Sequence, residues 1–513
     1  MPVSKSSRIS RPSKNVVSTS ICFLVAAAIF AAAIMYVQRA GATLYFGDAE
    51  AHLDIARRIV DSRTPGWSQV GTTWLPLPHL LMLPLVRNDW LWRTGLAGAI
   101  VSGVSMTIAV TFLFAAVRRI FADITAAAAA ATVFLMNPNA LYMGSIPMSE
   151  AVFFASLFAL LYFTVRFRET RGWGALLGAS LAAFCGTLTR YEAWFLLPFV
   201  AIYLVISARG KRIAVLVIFC VIAALGPALW LAHNRWYYGD PLYFYRGPYS
   251  AMAIQGNAAY PGRGDWRVAA QYFFMAGQAV AGWPALIMLA AGAVLALARR
   301  VLWPVLLLAL PLVFYVWAIH SSGLPIFIPA LWPHTFYNTR YALAFLPLAA
   351  VGAAALARQF PKKLAALGIV AVALSPFLIH PATPPVTWQE SEANSRVRRA
   401  WIAQTASYLA EAAGPNQTFL TGFGELTPIY RTLGVPLRDT LTGDNDLEWN
   451  AAMARPDLFL HTDWAVVESG DDMQTMIDRA RLHGPRYELQ RRVTVKGAPV
   501  IEIYKRAYDD PLR

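Results

Sequence analysis

Apolar residues arrive along this chain in blocks of about 20, the length that crosses a ~30 Å hydrocarbon core. Eleven blocks can be drawn, at approximately 18–38, 94–117, 122–137, 150–167, 174–189, 193–208, 212–232, 278–298, 301–320, 340–357 and 364–380. Polar stretches on one side of this series are a few residues long. On the other side three are substantial, at 39–92, 233–277 and 320–339, and long ordered loops on one side of a bundle carry function. The first long loop predicts two amphipathic helices, Ala49–Val60 and Leu75–Val86, lying along the membrane surface.

The blocks stop before Val386, after the Pro-rich stretch Pro381–Pro385. Beyond it the pattern predicts a helix at Glu390–Ala413, a strand at Thr418–Phe423 and a helix near Leu426–Leu433. A strand at Trp464–Glu468 and a helix at Asp471–Leu482 follow. Strands Tyr487–Val495 and Val500–Tyr504 close the chain across a Lys496-Gly497 turn. The expected fold is therefore a polytopic α-helical membrane domain, 1–385, followed by a small α/β domain, 386–513.

Composition agrees: 57% of residues are hydrophobic and 14% charged, against roughly 25% charged in a soluble domain. The net charge of +15 raises nucleic acid as a partner, but the cations sit in clusters at the ends of apolar blocks. No basic stripe with interleaved aromatics is present, so no nucleic-acid partner is expected. With the N-terminus cytoplasmic, the short inner loops hold Arg118 and Arg119, Arg166, Arg168 and Arg171, Arg209, Lys211 and Arg212, Arg299 and Arg300, and Arg358, Lys362 and Lys363. The first outer loop also carries arginines, but long loops follow this rule poorly. An odd number of spans then puts the C-terminal domain on the extracytoplasmic side. Cys22, Cys185 and Cys220 all lie in apolar blocks, which argues against a disulfide framework. Ile21–Val37 is long for a cleaved signal and reads as the first span.

Ionisable residues near membrane depth are costly, so each is a site candidate. The first group is Phe46-Gly47-Asp48-Ala49-Glu50-Ala51-His52, directly after the first span. Asp48 and His52 share a helix face. Asp48 reads either as a general base or as an N-cap of the loop helix. Glu50 and His52 add carboxylate and imidazole, but the i, i+2, i+4 spacing does not bring the three to one face, so no metal is favoured. The second group is Arg190-Tyr191-Glu192. The third runs from Trp332-Pro333-His334 to Asn338-Thr339-Arg340-Tyr341. Arg190 and Arg340 read as phosphate-holding groups, or as side chains snorkelling to lipid headgroups, with an Arg190–Glu192 local pair as a further alternative. His79, in Trp74-Leu75-Pro76-Leu77-Pro78-His79, reads as a phosphate donor or a solvated interfacial histidine.

Gly47-Asp48-Ala49-Glu50-Ala51-His52 followed by Trp74-Leu75-Pro76-Leu77-Pro78-His79 resembles the GT-C superfamily of membrane glycosyltransferases, in particular the group of protein O-mannosyltransferases and lipid A aminoarabinose transferases. Arg190-Tyr191-Glu192 and Asn338-Thr339-Arg340-Tyr341 sit where that group places Arg-containing outer segments. The sequence departs from the group's pattern in two places: Glu50 is not adjacent to Asp48, and Leu77 splits the Pro pair. The resemblance implies transfer of a sugar from a polyprenyl-phosphate carrier to a lipid, glycan or protein acceptor on the outer face, with inversion. Asp48, with Glu50, would be catalytic. His52, His79, Arg190, Tyr191, Glu192, His334, Asn338, Arg340 and Tyr341 would bind substrate. A transporter or flippase of a lipid-linked substrate is the alternative from another class. No internal repeat is visible, and the polar groups gather at the outer boundary instead of mid-span, which favours the enzyme.

Overall fold

The computed structural model describes residues 14–256, 258–379 and 383–507. Lys5, Arg8 and Arg11, and Pro381 of the boundary stretch, lie outside the described residues. Among the described residues, six helices are long and apolar enough to cross a membrane: Val16–Arg39, Leu96–Phe121, Ser149–Thr170, Arg212–Tyr238, Leu302–Ser321 and Thr339–Ala357. A seventh candidate is the pair Trp266–Ala281 and Trp283–Ala298, bent by 112°. The bend falls at Gly282, whose φ of +82° admits glycine at no steric cost, with Pro284 starting the next helix. The chain is an integral membrane protein.

Three expected spans are short for a straight crossing. Ile124–Leu135, Trp173–Thr187 and Glu192–Ser207 have 12, 15 and 16 residues, fewer than the ~20 a straight crossing needs. Local chemistry explains two of the ends. Asn137 accepts hydrogen bonds from the Asn139 and Ala140 amides and opens a new short helix, Pro138–Met143. Trp173–Thr187 stops just before Arg190, whose side chain turns into the bundle (below). Elsewhere the helices pack at backbone contact: a Cβ on Gly292 would lie 2.2 Å from Gly352 Cα, so Trp283–Ala298 and Phe345–Ala357 meet through small residues.

The C-terminal domain is close to expectation. Helix Val386–Ala412 leads to a five-stranded sheet of β1 (Phe419–Thr421), β2 (Thr440–Leu441), β3 (Trp464–Glu468), β4 (Arg486–Val493) and β5 (Ile501–Ala507), in the order β2-β1-β3-β5-β4. The first three strands are parallel, and β5 joins β3 and β4 antiparallel. β2, two residues long, carries too little alternation to be seen in the sequence. Trp401, Ile402, Ala406 and Leu409 of the long helix pack into the core of this sheet with Phe419, Tyr430 and Trp464.

The first outer loop differs from expectation in a way that matters for the site. Both predicted helices form, as Gly47–Arg58 and Leu77–Val86. The first does not lie at a water interface, however: nine of its 12 residues are buried. The C-terminal domain covers the face that would otherwise be solvated. Arg58 pairs with Asp444 at 2.5 Å, Arg63 with Glu448 at 2.7 Å and Asp61 with Arg438 at 3.0 Å. Leu437 joins Leu53 and Ala56 in the apolar contact between them.

Candidate active site

Where the first span ends, Phe46 turns the chain and helix Gly47–Arg58 begins. Asp48 is its second residue and does not cap it; Phe46 holds the cap position, and no side chain caps the helix. The N-cap reading of Asp48 therefore fails. Its carboxylate reaches across the bundle to Arg340, with Oδ2 2.5 Å from Nη2. Arg340 Nε donates to Glu150 Oε1 at 3.1 Å. The same oxygen lies 3.0 Å from Arg190 Nη1. Glu150 therefore bridges the two guanidiniums, and its second oxygen is buried without a hydrogen-bond partner.

Arg190 is held on every nitrogen. Nε binds Glu192 Oε1 at 2.7 Å, Nη1 donates to Ser149 Oγ at 3.0 Å, and Nη2 donates to the Tyr315 hydroxyl at 3.0 Å. Tyr315 in turn donates to Glu192. Both arginines lie over the ring of Tyr341, at 5.4 and 5.1 Å, and Tyr341 stacks on Tyr315. Arg190 is thus buried in a local pair and does not snorkel. Of the expected site residues, the structure brings together Asp48, Arg190, Glu192, Arg340 and Tyr341. Beside them Glu150, Arg190 and Arg340 share a small pocket with apolar walls of Phe153, Phe154, Leu157, Pro311, Leu343 and Pro347.

The remaining expected residues make other contacts, although His52 stays close to the two arginines. Glu50, two positions from Asp48, points the other way and is clasped by Arg398 at 2.9 Å and Arg431 at 2.6 Å, both from the C-terminal domain. Burial pushes its carboxyl upward in pKa, opposed by Arg431 and Arg398. His79 is fully buried, so it is not a solvated interfacial histidine, and its Nε2 lies 2.8 Å from His52 Nδ1. Burial, then the nearby Arg340 and Arg190, pulls His52 down to about 3. Burial also lowers His79, with His52 and Arg58 adding to it. The two imidazoles share one hydrogen bond between the loop helices, and burial disfavours the charged form of each. Tyr191 accepts from Trp230 Nε1 at 3.1 Å and packs against Phe244, on the loop side of the bundle. His334 is exposed in a turn, with Nδ1 3.0 Å from Pro329 O. Asn338 is a support: in the left-handed region at φ +55°, it opens the 3₁₀ turn Thr339–Ala344 that carries Arg340, and its side chain donates to Pro325 O at 3.0 Å.

Sequence reasoning missed Glu150, Tyr315 and Glu390. Glu150 carried a usable signal, since it stands at the outer end of an apolar block at the same depth as Asp48 and Arg190. Tyr315 is hidden inside an apolar block. Glu390 is a polar residue in a helix that reads as part of another domain. Among the described residues no group of three His, Cys, Asp or Glu converges in the manner of a metal site.

Comparison with known proteins adds to this geometry. The sequence model of the dolichyl-phosphate-mannose-protein mannosyltransferase family matches residues 92–236. That segment holds Glu150, Arg190 and Glu192 but neither Asp48 nor Arg340. The match supports a GT-C glycosyltransferase using a lipid-linked donor. Among solved structures, the chain is similar to an oligosaccharyltransferase of Archaeoglobus fulgidus in complex with Zn and sulfate. The identity is 11% and the TM-score 0.41, over 87% of this chain and 68% of that one. The comparison with curated proteins gives no match.

Proposed function

We propose that this chain transfers a sugar from a polyprenyl-phosphate-linked donor to a lipid, glycan or protein acceptor on the extracytoplasmic face, with inversion at the anomeric carbon. One observation carries the reading: a partly exposed carboxylate, Asp48, pairs with Arg340 beside a second buried guanidinium, Arg190, to which Arg340 is joined through Glu150. A carboxylate base beside cations suits a reaction whose leaving group is a lipid phosphate. The inner-loop arginine clusters support an orientation with this face outside.

Asp48 takes the proton of the acceptor hydroxyl as its oxygen attacks the anomeric carbon. The bond from that carbon to the phosphate oxygen breaks on the opposite face. The departing lipid phosphate goes from one negative charge to two, so charge builds beside Arg340, where a preorganised cation stabilises it. Arg190 acts from behind, because each of its nitrogens is already engaged. In this reading Arg340 and Arg190 supply the positive charge that faces the leaving phosphate.

The geometry adds an order to these events. Two guanidiniums face three carboxylates, so an incoming phosphate displaces one of them to reach Arg340. Asp48 is the one free to move: its side chain is 34% exposed, against 5% for Glu150 and 4% for Glu192. Donor binding thus breaks the Asp48–Arg340 pair and releases Asp48 to act as a base.

The direct test is transfer from a polyprenyl-phosphate sugar by purified protein. Asp48→Asn is expected to lose about 10²–10⁴-fold in rate while folding and expression stay intact. Full activity in that variant removes the base assignment. A wild type that moves the lipid-linked sugar across the membrane without transferring it favours the transporter.

A further inference from the structure

The first helix of the C-terminal domain crosses back over the candidate site. Val386–Ala412 has 27 residues, about 40 Å of continuous helix. Its N-terminal turns are fixed in the membrane bundle. The Thr387 amide and hydroxyl donate to Asn139 Oδ1 at 2.9 and 3.0 Å. Trp388 stacks on Tyr142, and Ser391 Oγ is 2.8 Å from the Tyr142 hydroxyl. Its C-terminal half belongs to the core of the sheet domain. Between these anchors, Glu390, Asn394 and Arg398 follow one another at i, i+4 and i+8 and share a face. That face meets the two segments that carry Asp48 and Arg340.

On the Arg340 side, Glu390 accepts hydrogen bonds from the Asn338 amide at 2.7 Å, the Thr339 amide at 2.9 Å and the Thr339 hydroxyl. These are the two residues immediately before Arg340. Asn394 Nδ2 donates to Phe336 O at 3.1 Å in the same segment. On the Asp48 side, Arg398 Nη2 donates to Tyr45 O at 3.0 Å and pairs with Glu50 at 2.9 Å, bracketing Asp48 in sequence. A Cβ on Gly47 would lie 2.8 Å from Arg398 Nη1, so the guanidinium lies directly against the turn before Asp48. Glu390 is almost fully buried, which is costly for a charge, and among the described residues it forms no ion pair, although Arg340 is close enough to act on its charge. Three hydrogen bonds to one short segment are its compensation.

We infer that Glu390 and Arg398 are positioning residues, and that this helix is a clamp setting the distance between the proposed base and the proposed phosphate cation. The inference rests on the functional reading above. It gives the C-terminal domain a specific role, in which its helix fixes the Arg340 segment through Glu390 and the Asp48 segment through Arg398. The two contacts therefore have separable consequences. Loosening Glu390 disturbs where the phosphate sits, while loosening Arg398 disturbs where the base sits.

The test uses the full chain in nanodiscs and two readouts, binding of a sugar-free polyprenyl phosphate and the kinetics of transfer from its glycosylated form. Glu390→Gln is expected to weaken polyprenyl phosphate binding and raise the donor KM by about tenfold. Arg398→Gln is expected to bind within about twofold of wild type but to lose about tenfold or more in kcat, with partial recovery in Arg398→Lys. If Glu390→Gln does not fold, Glu390→Asp keeps the charge, shortens the reach and is expected to move the same parameter. Equal losses in KM and kcat for both variants, tracking a fall in melting temperature, would reduce the helix to a structural part. Wild-type affinity in both glutamate variants, with wild-type kcat in Arg398→Gln, overturns the clamp alone. A wild type that binds no polyprenyl phosphate overturns the functional reading and the clamp with it.

Discussion

Asp48 and Glu50 stand two residues apart on one short helix and live in opposite surroundings. Asp48 faces the bundle, is one-third exposed and holds a single guanidinium at 2.5 Å. Glu50 faces the C-terminal domain, is buried and lies between two guanidiniums at 2.6 and 2.9 Å. Both are carboxylates paired with arginine, so identity and charge do not separate them; access does. A partly exposed carboxylate with one partner can exchange that partner for substrate. A buried one with two partners has nothing to exchange and serves to hold a domain in place. The helix Gly47–Arg58 is thus a two-sided plate, with chemistry proposed for one face and assembly on the other.

The contrast can be broken from either face. Arg340→Gln carries the largest expected effect on the bundle side: about 10²–10³-fold in transfer rate, with binding of polyprenyl phosphate weakened in parallel. Transfer at the wild-type rate would move the phosphate site away from Arg340. On the domain side, Glu50→Gln leaves Arg398 and Arg431 facing each other without compensation, at a cost of about 3–5 kcal/mol. It should appear as a lowered melting temperature and faster hydrogen exchange in Val386–Ala412, with a smaller loss of activity than Asp48→Asn. A Glu50→Gln loss as large as that of Asp48→Asn, with unchanged exchange, would place both carboxylates in the chemistry.

A subtler effect concerns pH. His52 is held near 3 in the folded chain, against about 6.5 when unfolded. Between these values the unfolded chain binds a proton that the folded chain does not. The stability contributed by the neutral pair is fully present above about 6.5 and is lost as pH falls toward 3. Asp54, pushed up to about 7 by burial, works in the opposite sense, binding a proton when folded that the unfolded chain releases, so its contribution fades as pH rises toward 7. In an Asp54→Asn background the melting temperature should therefore fall on acidification from pH 6.5 to 4. Replacing both His52 and His79 with Asn should flatten that fall, and an equally steep fall in the double replacement would contradict the buried neutral pair. The smallest expected effect is that of a chelator, which should leave transfer unchanged because guanidiniums supply the positive charge. Loss of activity on chelation, restored by a divalent ion, would add a metal to the account.

Much of the plan was legible in the sequence. Apolar blocks located the membrane helices, and short runs rich in apolar residues, together with a Lys496-Gly497 turn, located four of the five strands. Asp48, Arg190 and Arg340 could be singled out because a charge at membrane depth is costly wherever it occurs. What stayed hidden depends on contacts between distant segments. Nothing local to Glu50 shows that residues 398 and 431 will cover it, so it looked equivalent to Asp48. The His52–His79 pair joins two loop helices whose separate patterns carry no sign of the partner. Glu390 sits in a segment whose composition is that of a soluble domain, and only the folded chain brings it back to the turn before Arg340. The block at 122–137 was overdrawn, because its helix stops at Leu135 and Asn137 opens a new one.

The hand-off of Arg340 from Asp48 to the donor phosphate is the centre of the account, and one affinity tests it most directly. In Asp48→Asn, with the competing carboxylate removed and transfer blocked, polyprenyl phosphate in nanodiscs should bind more tightly than to wild type, by about fivefold or more. Binding that is equal or weaker in this variant would mean that Asp48 does not guard Arg340, and the proposed order of events would fall.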